Sequence, residues 1–158
     1  MSKGKVQPVP EGFHTLTPHL VIHGAQAAIE FYKKALGASL LVSMPGPGGK
    51  VMHAEMKIGD SIFFLSDDFP DMGSHAPSGP SPCVMNIYAP DCDKIFNQAI
   101  AAGAKVQMPP ADMFWGDRYA KFQDPFGHNW AVATHIEDVP PAEMPKRAEA
   151  AMAAFAKK

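Results

Sequence analysis

The sequence has few of the features that mark secreted, membrane-bound or nucleic-acid-binding proteins. Only two cysteines, Cys83 and Cys92, occur in 158 residues, and there is no C-x-x-C pair. Neither a disulfide framework nor a cysteine metal clip is therefore expected. No apolar run approaches the roughly 18 residues of a membrane span, and the first ten residues lack the apolar core of a secretory signal. The formal net charge is −2, without a lysine or arginine cluster. We therefore predict a cytoplasmic protein with no membrane or nucleic-acid partner.

What the chain does contain is a weak internal repeat. Each half is predicted to run strand, helix, then three strands, from the apolar alternation of its strands and the helical spacing of its apolar residues. The helices are predicted to begin at Ala25 and, after an Asp91 cap, at Cys92. They are predicted to end at Gly37 and Gly103. The predicted strands cover 20–22, 40–42, 51–58, 61–65, 84–88, 106–107, 118–123 and 128–134.

These elements predict an α+β fold made of two βαβββ modules. Each module is too short to bury a core alone, so the two are expected to form one structural domain. Curved mixed sheets, with helices on one face, would leave their other faces to enclose a pocket. The predicted parts are a flexible leader (1–14), the first module (15–68), a Gly/Pro/Ser-rich connector (69–81), the second module (82–137) and a helical tail (138–158).

Four segments resemble a known superfamily. They are TPHLVI at 17–22, AIEFYKKALGA at 28–38, FWGDRY at 114–119 and DPFGHNW at 124–130. The first two resemble the opening, and the last the closing strand, of vicinal oxygen chelate proteins (glyoxalase/bleomycin-resistance/dioxygenase). FWGDRY is similar to the PhnB-like branch. The resemblance implies the paired-module fold, a small-molecule ligand and a homodimer.

The resemblance also implies where a metal would sit. Metal-using members place four His, Glu or Gln ligands on four strands, two in each half. Transferred one at a time, these positions fall at Thr17 or His19, at Phe63, at Pro82 or Val84, and at Ala131. Only His19 can coordinate a metal, whereas a mononuclear catalytic site usually has three protein ligands. We therefore predict that the usual metal site is absent and that no cofactor is needed.

Strand alternation predicts a pocket lining instead. The residues expected on the concave side are His19, Phe63, Leu65, Val84, Asn86, Tyr88, Asn129 and Ala131. To these the FWGDRY loop adds three candidates. Trp115 could stack on a planar ligand, Arg118 could bind a carboxylate or phosphate with two bonds, and Tyr119 follows them. An alternative is that Arg118 pairs with Asp117 and only pins the loop. The predicted ligand-binding set is His19, Phe63, Asn86, Tyr88, Trp115, Arg118, Tyr119 and Asn129.

His53 and Glu55 share one face of a predicted strand, beside Lys57. They could form a general acid/base pair, or an atypical divalent-metal site with His19. The alternative is a solvated strand face. The sequence therefore leaves the identity of any catalytic residues undecided, and the candidates are His53, Glu55 and Arg118.

The leading functional prediction is metal-independent binding of a small, partly aromatic or amphipathic molecule. Two alternatives remain. One is a glyoxalase-like metal-dependent lyase, isomerase or dioxygenase using the atypical site. The other is a non-catalytic dimeric scaffold whose tail helix forms the interface.

Overall fold

A computed structural model describes residues 6–157 of the chain. It divides between Pro80 and Ser81 into two compact units, and this boundary lies inside the segment predicted as a connector. Residues 1–5 of the predicted leader and Lys158 of the predicted tail lie outside the described residues.

The first unit contains one mixed sheet and one α-helix. Its elements are β1 (His19–Ile22), α1 (Ala25–Leu36), β2 (Ser39–Pro45), β3 (Val51–Ile58) and β4 (Ser61–Asp67). The strands lie in the order β1-β4-β3-β2. β1 pairs with β4 in parallel, while the β3–β4 and β2–β3 pairs are antiparallel. The predicted βαβββ order is confirmed.

Helix α1 covers one face of this sheet. It ends at Gly37, which has the left-handed φ of 64° that glycine tolerates best and donates its N–H to the Tyr32 carbonyl. Against it pack alternate residues of β3, including Ala54 and Met56, both fully buried. His53 and Glu55 alternate with them along the strand and therefore point to the opposite face, as predicted.

Asp67, the last residue of β4, joins three elements through one buried carboxylate. Its Oδ1 accepts the N–H groups of Gly24 (3.0 Å) and Ala25 (2.9 Å) at the start of α1. Its Oδ2 accepts the N–H of Val51 (2.7 Å), the first residue of β3. The strand that carries His53 and Glu55 is thereby fixed relative to the helix.

The predicted facing of β4 is wrong. Phe63 and Leu65 lie on the helix side, where Phe63 is 4% exposed and its ring is 5.8 Å from that of Tyr32. The run Ile62–Leu65 is wholly apolar, so it has no alternation that could reveal its inward face. The register with β3 decides instead, because it sets Phe63 beside the buried Met56. Phe64 therefore points to the open side.

The second unit repeats the arrangement. Its elements are β5 (Val84–Tyr88), α2 (Cys92–Ala101), β6 (Lys105–Asp112), β7 (Asp117–Gln123), β8 (Asn129–His135) and α3 (Met144–Phe155). The strand order is β5-β8-β7-β6, with β5 parallel to β8 and the other pairs antiparallel.

Helix α2 is anchored at its start by two side chains. Asp91 caps it by accepting the Lys94 N–H (3.0 Å), as predicted. The Thr134 hydroxyl accepts the Cys92 N–H (2.9 Å) and donates to the Ala89 carbonyl (2.8 Å). The helix covers the sheet face that carries Phe122 and Trp130, which are both fully buried.

Two turns of the second unit depend on single residues. Asp124 accepts the N–H groups of Phe126 and His128 and the indole N–H of Trp130, each at 2.9 Å, which explains the closing DPFG turn. Gly116 has a φ of +100°, and a Cβ there would collide with the Glu137 carbonyl oxygen. Its own carbonyl accepts two N–H groups from the chain that leaves β8. The loop before β7 is thus held against that chain.

Helix α3 lies in the predicted tail and buries none of its residues. Arg147 forms two hydrogen bonds with Glu137, of 2.9 and 2.7 Å. Met152 and Phe155 are 74% and 84% exposed.

Candidate functional site

In the first unit, the side chains of interest lie on the open face, which is the sheet face opposite α1. Phe64 of β4 occupies its centre, with His19 of β1 and Glu55 of β3 beside it in register. His53 Nε2 is 3.4 Å from Glu55 Oε1, and the His53 ring centroid is 4.8 Å from that of Phe64. The structure therefore brings together all three residues predicted for an atypical site.

The second histidine of this face is held by Ser66. His19 Nε2 lies 3.1 Å from Ser66 Oγ, and its ring packs edge-on to those of His53 (6.4 Å) and Phe64 (6.1 Å). Desolvation lowers the pKa of His19, and the neighbouring His53 lowers it further because two positive charges would repel. Both effects favour the uncharged form of the His19 ring.

A cavity of about 460 Å³ opens on this face, within the range of small-molecule sites. Phe64 and Glu55 form part of its floor, and the Phe13 ring lies 5.8 Å from that of Phe64 at an interplanar angle of 55°. The remaining lining comes from the chain before β1: Pro8, Val9, Pro10, His14, Thr15 and Thr17. Part of the predicted leader thus borders the cavity.

The family's usual metal centre does not fit the residues present. Across residues 6–157, no group of three His, Cys, Asp or Glu side chains is placed to hold a metal ion. On the open face, His53 and Glu55 contact each other, while His19 contacts Ser66. β4 offers Phe64 beside them, and a phenyl ring is no ligand.

In the second unit, the face opposite α2 carries the other predicted binding residues except Arg118. The strand register pairs Asn86 with Ala131 and Tyr88 with Ala133. On its other side, Ala133 pairs with Tyr119 of β7. Asn129 lies on this face but is 8% exposed. Its Oδ1 accepts from Gln107 Nε2 (2.9 Å) and its Nδ2 donates to the Ser81 carbonyl (2.9 Å).

Asp117, also buried, organises the aromatic side chains of this face. Tyr88 Oη (2.9 Å) and Trp115 Nε1 (3.0 Å) donate to its Oδ2, and His135 Nδ1 lies 2.8 Å from its Oδ1. Burial would raise the pKa of Asp117, but the bonds from His135, Tyr88 and Trp115 outweigh it and lower that pKa. The bond to Asp117 in turn raises the pKa of Tyr88. The result is an aromatic patch around a carboxylate whose two oxygens both have hydrogen-bond partners.

Arg118 does not share this face. It alternates with Asp117 along β7, so it points to the side of α2 and cannot pair with Asp117 as the sequence suggested. Its Nε and Nη2 bind Asp93 of α2 at 2.7 and 2.8 Å, and its Nη1 binds Asp112 at 2.9 Å. The placement of Arg118 beside Trp115 and Tyr119 in a ligand site is wrong, because its guanidinium is occupied on the opposite face.

Sequence reasoning missed two contributors, Phe64 and Phe13, and it gave Asp117 only as a possible partner of Arg118. The register of β3 with β4 would have indicated Phe64, since it sets Phe64 beside the outward-pointing Glu55. For Phe13 no periodic signal exists, because it precedes the first strand.

The comparisons with known proteins agree with this architecture. The sequence model of the Glyoxalase/Bleomycin resistance protein/Dioxygenase superfamily matches residues 13–132. The chain belongs to this superfamily. An uncharacterised protein of Mycobacterium bovis is 40% identical over 129 residues, which cover 78% of this chain and 85% of that protein.

Solved structures share this fold. Protein PA1353 from Pseudomonas aeruginosa is 26% identical, with a TM-score of 0.65 over 78% of this chain and 99% of that one. A PhnB protein from Bacillus cereus is 16% identical, with a TM-score of 0.61 over 77% and 99%. At that identity the second likeness concerns the fold alone.

As to a membrane, none of the helices among residues 6–157 is both long and apolar enough to span one.

Proposed function

We propose that this superfamily member binds a small, partly aromatic organic molecule without a metal, in the cavity on the open face of the first sheet. The main support for this proposal is the composition of the cavity wall. It combines the phenyl rings of Phe13 and Phe64 with the partly buried carboxylate of Glu55. Apolar walls with few polar groups are what small-molecule sites require.

The donor set supports the metal-independent part of the proposal. The resemblance places the ligands of metal-using relatives at Thr17 or His19, at Phe63, at Pro82 or Val84, and at Ala131. Of these side chains only that of His19 is a good metal ligand. On the open face His53 and Glu55 contact each other, whereas His19 contacts Ser66. The three are not placed as the three ligands of a mononuclear centre among the described residues 6–157.

Ligand binding is tested by thermal shift with a panel of aromatic and amphipathic compounds, measured with and without EDTA. We expect stabilisation that rises with ligand concentration and is unchanged by EDTA, because only the native state forms the cavity. Phe13→Ala should weaken binding, since it removes one wall. Phe155→Ala, which truncates an exposed ring of the same kind on α3, should not.

Two results would overturn the proposal. One is the absence of any stabilising compound in the panel. The other is a metal that stays bound near one per chain after equilibration with Ni, Zn, Mn and Fe(II), measured by elemental analysis, and that ligand binding requires.

A further inference from the structure

The cavity on the open face of the first sheet has an uneven charge distribution. Glu55 is its one carboxylate, and no lysine or arginine occurs among the described residues that line it. The other lining groups are phenyl rings, prolines, a valine, two threonines and His14. An anionic group surrounded by apolar and aromatic surface favours a positively charged partner.

The Glu55 carboxylate is accessible for binding a ligand. Its side chain retains 23% of its surface exposure, so it is partly desolvated yet reachable. Among the described ion pairs none joins it to a lysine or arginine, although Lys57 follows on the same strand face. His53 contacts its Oε1 at 3.4 Å. A protonated His53 would compete with a cation for this carboxylate, whereas a neutral His53 would not.

The rings beside Glu55 suit the same kind of ligand. Phe64 lies next to Glu55 in the sheet register. The Phe13 ring packs against the Phe64 ring, with 5.8 Å between the ring centroids and an interplanar angle of 55°. The two rings pack against each other and form one aromatic surface next to the carboxylate. Ring quadrupoles attract an alkylammonium group that lies on such a surface. Desolvation and then His53 lower the pKa of His19 on the same face, which favours its uncharged form.

We infer that this cavity selects organic cations, with an alkylammonium group packed against Phe13 and Phe64 and paired with Glu55. The inference rests on the proposed function, since it names the ligand class of the same cavity. The cavity volume of about 460 Å³ leaves room for an organic substituent beyond the ammonium group.

A charge-matched pair of probes tests the ligand class. Choline and 3,3-dimethylbutan-1-ol have the same shape and differ in the charged nitrogen. Titration of the full chain at neutral pH, followed by amide chemical shifts, should show choline binding about tenfold more tightly than the neutral alcohol, with shifts centred on Glu55 and Phe64.

Two variants assign the effect to the cavity. Glu55→Gln should bring the affinities for choline and the alcohol close together, because it removes the charge and keeps the shape. Phe64→Leu should weaken choline and spare the alcohol, because a leucine retains apolar contact without a ring. Glu30→Gln is the matched control, since Glu30 is exposed on α1 and pairs with Lys33. It should leave both affinities unchanged.

Equal affinity for the two probes, no binding of choline, or a choline preference that survives Glu55→Gln would each overturn the inference. In these cases the aromatic panel still reports separately on the proposed function. If that panel yields ligands that bind the cavity, the binding function stands and only the ligand class is wrong.

Discussion

Replacing Asp67 by alanine should be among the most damaging single changes in the first unit. The carboxylate accepts three N–H groups, from Gly24, Ala25 and Val51, and is 6% exposed. A buried donor left without an acceptor costs about 1–3 kcal/mol. Because water will reach part of the gap and such costs are not additive, we expect a loss of about 4 kcal/mol rather than the full sum.

Urea unfolding followed by circular dichroism measures this loss. With a slope of about 2 kcal/mol/M, a loss of about 4 kcal/mol lowers the midpoint by about 2 M. Asp67→Asn keeps one oxygen for Gly24 and Ala25 but turns an amide NH₂ toward the Val51 N–H, so its loss should be smaller, about 1–3 kcal/mol. Asp71→Asn, at an exposed position, is the control. If Asp67→Ala shifts the midpoint no more than Asp71→Asn does, the three bonds do not hold this joint and the reasoning is refuted.

Two further predictions concern the second unit. Gly116→Ala should destabilise the protein by more than about 2 kcal/mol in the same urea assay. The new Cβ would collide with the Glu137 carbonyl, and the alanine would also have to adopt the positive φ of this position. Gly103→Ala, at a φ of +116° but facing open space, isolates the φ effect and should cost less; equal losses would contradict the collision. Asp138 and then Asp117 raise the pKa of His135, so its contribution to stability is complete below the unfolded-state pKa and is lost as pH rises through the folded-state pKa. An NMR titration should show that Asp138→Asn lowers the pKa of His135, and an unchanged value would rule out this pairing.

The secondary structure could be predicted because its determinants are local. Alternation along Val51–Ile58 gives both the strand and its facing, and Asp91 and Gly37 mark helix ends by cap chemistry that depends only on neighbouring backbone groups. The internal repeat then supplies the order of elements in the second half.

The facing of β4 and the partners of Arg118 could not be predicted in the same way. A wholly apolar strand has no polar residue to reveal its exposed side, so its facing follows from its register with β3. Arg118 finds Asp93 on α2, a contact that depends on how the helix packs on the sheet. The adjacent Asp117 was the obvious partner in sequence, yet neighbours on a strand point to opposite faces.

The candidate site was predicted in part. His19, His53 and Glu55 share a face, as alternation on β1 and β3 predicts. The cavity needs Phe13 and the chain around Pro8–Pro10, which lie in a segment without periodicity. The predictions of a homodimer and of a role for Asn86, Tyr88, Trp115, Tyr119 and Asn129 in binding remain predictions.

The two helix starts differ in the chemistry that anchors them, and this affects how each half can change over evolution. In the second half a neutral hydroxyl, that of Thr134, serves one helix N–H and one carbonyl, a role that serine can also fill. In the first half a single side chain must accept three N–H groups with two oxygens, which among short side chains only aspartate can do. After a duplication, the second joint is therefore open to substitution and the first is not.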